Sequence, residues 1–129
     1  MAYRWLLLWS SFFGATGVGL GAFAAHGLKK ILSADALAVW ETAVRYQFYH
    51  ALVLLILFVL LQVKSLQGVT QAAKLMIVGT LCFSGSLYLM MLTGMKILGP
   101  VTPLGGTLLI IGWLRLFYAG IKNHRGMPN

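Results

Sequence analysis

Four long apolar runs leave this chain few ways to fold. Segments 5–25, 46–63 and 75–95 contain no Asp, Glu, Lys or Arg, and 104–121 contains only Arg115. A helix rises about 1.5 Å per residue and a bilayer's hydrocarbon core is about 30 Å thick, so each run is long enough to cross it. Composition agrees. Residues are 60% hydrophobic and 9% charged, with a mean hydropathy of +0.87, where soluble domains carry roughly a quarter charged residues. With 129 residues there is room for one domain. The expected fold is an all-α membrane protein, a four-helix transmembrane bundle forming a single integral-membrane domain over 1–129.

The net charge of +8 raises nucleic acid as a partner, but the Lys and Arg residues stand singly or in a pair between apolar runs and form no basic face. They read as span-flanking charges beside anionic headgroups. The partners expected are the lipid bilayer and either a second copy or a larger membrane protein, with no nucleic acid. Cys82 is the one cysteine, so no intrachain disulfide is possible and a small buried hydrophobe is its default role.

Arg4, Trp5 and Trp9 mark one interface of the first span, and His26 to Lys30 the other. Gly14, Gly17, Gly21 and Ala25 recur at helical spacing, a face that a neighbouring helix can approach closely. Arg4 and the small residues near Ala24 also resemble a signal peptide, but the apolar run exceeds the roughly 7–15 residues of a typical h-region, so the span is read as retained. Ser33 with Asp35 is a helix N-terminus signal. An amphipathic lead-in to the second helix follows, with Leu37, Trp40, Val44 and Phe48 on one stripe and Glu41 and Arg45 on another. A straight helix from Ser33 to Val63 would be about 46 Å long, so it protrudes or bends near Tyr46.

Lys64 to Lys74 reads as a polar link, and Lys96 to Pro103 as a turn that its prolines keep from extending the third helix. Pro103 and the Gly105-Gly106 pair open the fourth span, where Gly112 adds a further packing position. The tail from Lys122 to Asn129 is polar and expected to fray. Four crossings put both termini and the middle link on one side. Arg4, Lys64, Lys74, Arg115, Lys122 and Arg125 lie there, against Lys29, Lys30, Arg45 and Lys96 opposite, an excess that places the termini in the cytoplasm.

Connectivity then gathers distant polar residues beneath the other leaflet: His26, Glu41, Arg45, Tyr46, Tyr49, His50, Ser84, Ser86, Tyr88, Thr102 and Pro103. Such groups turn toward a bundle interior or a wet cavity, because lipid offers no hydrogen-bond partner. Glu41 and Arg45 have the spacing of an i, i+4 ion pair, either exposed or half buried and ordering the loops. His50 is either hydrogen-bonded within the bundle or titrates during proton movement. His26 and His50 lack the cluster that a haem or metal site shows, so neither metal nor cofactor is expected. Ser84 and Ser86 read as packing residues with hydroxyls bonded back to the preceding turn, and no nucleophile elbow or acid completes a catalytic triad. Arg115, near the end of its span, is expected to snorkel to the headgroups.

Gly21-Ala22-Phe23-Ala24-Ala25-His26-Gly27-Leu28, Glu41 to Gln47 with Tyr49-His50, Phe83 to Tyr88, and Thr102-Pro103-Leu104-Gly105-Gly106 together resemble the small bacterial membrane family catalogued as domain of unknown function 423, related to the eukaryotic transmembrane protein 256 group. At Ala24 the chain departs from the glycine frequent in that family. The resemblance spans nearly the whole chain and implies a multi-span helical protein of a bacterial inner membrane, with no settled activity and no catalytic residue to carry over. The leading functional reading is a non-enzymatic accessory or structural membrane protein. The alternative is a small-solute or proton carrier or channel using Glu41, Arg45 and His50.

Overall fold

A computed structural model describes residues 1–123. It is helical, with α1 over Arg4–His26, α2 over Ala34–Val63, α3 over Val69–Thr93 and α4 over Val101–Asn123, and short 3-10 turns at Leu28–Lys30 and Lys96–Leu98. All four long helices are long and apolar enough to cross a membrane, as expected. Residues 124–129, most of the tail expected to fray, lie outside the described residues.

Local signals set the ends. The Ser33 side chain accepts from the Ala36 N–H at 3.1 Å and starts α2, with Asp35 in the first turn. From there α2 runs unbroken through Tyr46 for 30 residues, about 45 Å. Its buried stripe is Trp40, Ala43, Gln47, His50, Ala51, Leu54, Leu57 and Leu61. Phe48, expected on the apolar stripe, falls outside it and is exposed. The expected polar link is shorter than its composition suggests: Gly68, at φ +92, turns the chain and α3 starts at Val69, so Gln71 and Lys74 are helical. Burial of Val69, Ala72 and Ala73 holds this early start in place. Gly94 ends α3 at φ +71, its N–H bonding Met90 O at 2.8 Å. In α4, which begins at Val101, Pro103 falls in the first turn, where its missing N–H costs nothing.

α2 and α3 form a central pair, with α1 against α2 and α4 against α3. Side chains from all four helices, including Leu6, Phe13, Leu54, Met76, Ile77 and Leu109, share one core. Two hydrogen bonds tie the residues before α1 to the end of α2 and the α2–α3 link, Gln62 Nε2 to Ala2 O at 2.6 Å and Tyr3 to Ser65 at 3.4 Å. Asn123 Nδ2 reaches Gln67 O at 3.3 Å, so the end of α4 lies on this same face. At the opposite face Ala24, Leu28 and Trp40 are buried together beside Tyr88 and Met91.

Lipid tails are as apolar as leucine, so close packing and hydrogen bonds, rather than apolar burial, hold such helices together. The tightest approach is α3 to α4. A Cβ on Gly105 would fall on the backbone of Cys82 and Phe83, one on Gly79 would come within 3.0 Å of Leu109, and one on Gly112 within 3.0 Å of Met76. Gly106 is looser, 3.7 Å from the Phe83 ring. On α1, Gly17 faces Gln47 and Phe48, and Gly21 faces Val44, at ordinary contact distance. Gly14 faces open space and Ala25 is exposed.

Candidate functional site

Much of the polar interior is hung on the buried stripe of α2. Gln47, 4% exposed, points its amide between α1 and α3. Nε2 donates to Phe13 O at 2.9 Å and Thr16 Oγ1 at 2.7 Å, and Oε1 accepts from the Tyr88 hydroxyl at 2.7 Å. One side chain thus joins three helices, and both amide hydrogens are used.

His50, one turn further along the same stripe, turns to α4. Its Nδ1 lies 2.7 Å from Tyr46 O and its Nε2 accepts from Trp113 Nε1–H at 3.1 Å. A carbonyl only accepts and an indole N–H only donates, so the two contacts together require the neutral ring with its hydrogen on Nδ1. Both nitrogens are then occupied.

The remaining buried hydroxyls bond mainly to backbone carbonyls. Ser10 donates to Ala51 O and Ser84 to Ala43 O, each at 2.8 Å and each joining two helices. Ser86 lies 3.0 Å from Phe83 O and 2.5 Å from Thr102 Oγ1, which links α3 to the start of α4. Trp40 Nε1 donates to Leu20 O at 3.0 Å and its ring packs on Tyr88 at 4.6 Å. A crevice of about 220 Å³ between α1 and α3 has Gln47, Thr80 and Ser84 in its wall. There Thr80 Oγ1 is buried without a partner among the described residues.

Of the residues expected to cluster, the structure joins Tyr88 to Gln47, Ser86 to Thr102, and Ser84 and His50 to the backbone of α2. Tyr46 is partly exposed, its ring 4.9 Å from Phe83 and 6.2 Å from Tyr49. His26, Glu41, Arg45, Tyr49 and Pro103 are exposed and do not enter the interior network. Arg45 bonds Thr42 Oγ1 at 3.3 Å, and no ion pair joins it to Glu41 among the described residues. No group of three His, Cys, Asp or Glu suited to a metal occurs among the described residues.

Sequence reasoning missed the two residues that complete the network, Gln47 and Trp113. The signal for Gln47 was available: it sits three and four positions from Ala43, His50 and Ala51, on the face that must be buried. Nothing in the sequence pairs Trp113 with His50, because they are distant in the chain and meet only through the packing of α4.

The profile of a family described as protein of unknown function (DUF423) matches residues 20–106, a stretch that takes in Gln47, His50, Ser84 and Tyr88. Similar proteins include a UPF0382 membrane protein of Staphylococcus aureus strain bovine RF122, 50% identical over 105 residues that cover 81% of this chain and 85% of the relative. The UPF0382 membrane protein YwdK of Bacillus subtilis is 45% identical over 106 residues, covering 81% and 86%. No solved structure matches.

Proposed function

The chain belongs to the DUF423 family of membrane proteins, and we propose that it acts as a non-enzymatic accessory or structural protein of the bacterial cytoplasmic membrane, with its termini on the cytoplasmic side. One observation carries the reading. The interior polar side chains of α2 spend their hydrogen-bonding capacity within the bundle: Gln47 on α1 and α3, His50 on its own backbone and on Trp113 of α4. A carrier needs polar groups free to exchange partners along a path between the two faces. A fixed network serves instead to hold the register of helices that lipid does not drive together.

The accessory role implies docking to a second copy or to a larger membrane protein. The cytoplasmic assignment of the termini is supported by the basic residues Arg4, Lys64, Lys74, Arg115 and Lys122 on that face. The test is paired. Proteoliposomes carrying the protein should show proton and small-solute flux equal to protein-free vesicles, while cross-linking in native membranes should recover a complex. Flux that is abolished by His50→Ala would replace this reading with the carrier, and recovery of monomers alone would remove the docking role.

A further inference from the structure

No acidic side chain lies near Arg115 among the described residues. The two acidic residues, Asp35 and Glu41, both lie in the first turns of α2 at the opposite face. Arg115 stands near the end of α4, held by Nε–H to Gln71 Oε1 at 2.9 Å and by stacking 5.5 Å from the Tyr118 ring centroid. Its guanidinium lies flat against Gly68, where any Cβ would collide with it. Gly68 is also the N-cap of the 25-residue α3, which has no side-chain cap and no acidic residue in its first turn. The N–H groups of Val69 and Ala72 bond Leu66 and Gly68 carbonyls, whereas those of Thr70 and Gln71 have no backbone acceptor among the described residues. A cation beside the positive end of a helix is unfavourable unless an anion is shared between them. Independently, Arg115 Nη1 is buried and has no hydrogen-bond acceptor among the described residues.

We propose that this corner of the protein binds the phosphate of an anionic phospholipid, with the Arg115 guanidinium as the principal donor and the first turn of α3 as its partner. A planar guanidinium matches phosphate geometry, and a helix N-terminus presents N–H groups to the same anion. Arg115 as a residue is only partly buried, which leaves this corner open to a headgroup. The site lies where the α2–α3 link meets the end of α4, on a face whose charged residues are all basic, and that is headgroup depth for a helix spanning the bilayer. A lipid thereby joins the two helices at the end away from the Ser86–Thr102 contact. This inference needs the membrane location alone and is independent of the accessory role.

The test is lipid retention on detergent-purified protein, read by native mass spectrometry with phosphatidylglycerol and phosphatidylcholine in competition. Wild-type protein and Lys122→Gln, which removes an exposed charge from the same face, should retain phosphatidylglycerol. Arg115→Gln should retain it about tenfold less. Should Arg115→Gln fail to fold, Arg115→Lys carries the test, since it keeps the charge but loses the fork and should discriminate less between the two lipids. Millimolar inorganic phosphate should not displace the lipid. The proposal is overturned if Arg115→Gln, or Arg115→Lys in its place, retains lipid as wild type does, or if Lys122→Gln loses as much as Arg115→Gln. Displacement by inorganic phosphate would make the site one for a soluble anion and overturn the lipid assignment.

Discussion

Replacing Gln47 with leucine keeps the volume of the side chain nearly constant while removing the amide that joins α1, α2 and α3. Two bonds from Nε2 are lost, to Phe13 O and Thr16 Oγ1. At about 0.6 kcal/mol each, the average for interhelical bonds in a membrane, they account for about 1.2 kcal/mol. The larger cost falls on Tyr88, whose hydroxyl loses its acceptor beside a crevice walled mainly by apolar groups, a penalty of about 1–3 kcal/mol. The expected total is about 2–4 kcal/mol, read by reversible unfolding in mixed micelles. Tyr88→Phe alone, which leaves the buried Gln47 Oε1 without its donor, should likewise cost about 1–3 kcal/mol. The double variant should be less destabilised than Gln47→Leu, because the orphaned hydroxyl has gone with its acceptor, so the cycle is strongly non-additive. A Gln47→Leu protein within about 0.5 kcal/mol of wild type, or strictly additive costs, would show that the amide network does not hold the bundle.

Other positions test other parts of the packing. Gly105→Ala forces a Cβ onto the α3 backbone and should cost about 1–3 kcal/mol or split α3 from α4, whereas Gly14→Ala and Gly85→Ala meet open space and should be neutral or stabilising by about 0.5–1 kcal/mol; thermal melts in detergent distinguish the two classes. Nitrogen-15 NMR of His50 should report the Nδ1–H tautomer, and Trp113→Phe, which removes the donor to Nε2, should shift that resonance without unfolding the protein. Glu41→Gln and Arg45→Gln are exposed and unpaired with one another, so each should change stability by less than about 0.5 kcal/mol.

The four crossings were legible in the sequence because span length and charge exclusion depend on nothing but composition along the chain. Helix starts were legible where a side chain makes the cap, as at Ser33, and not where backbone conformation does so, as at Gly68, which moved the start of α3 into the supposed link. Topology also brought the right ends together: Tyr88 meets Gln47 and Ser86 meets Thr102 across the interior. What composition could not give was the rotation of each helix about its axis. That rotation turns Gln47 inward, while its charged neighbours Glu41 and Arg45 face outward. It also decides which glycines pack: Gly105 and Gly112 lie against α3, while Gly14, in the same kind of spaced series, faces open space.

A dry and fully bonded Gln47 amide holds α1, α2 and α3 together, and its side-chain hydrogen exchange in a bilayer is the most direct test. Gln62, Gln67 and Gln71 are exposed on the basic face and serve as internal references. With all four glutamines nitrogen-15 labelled, the Gln47 amide should exchange far more slowly than the other three and ignore a water-soluble paramagnetic agent. Exchange of Gln47 at their rate, or broadening with them, would mean that water reaches the centre of the network and would contradict the account.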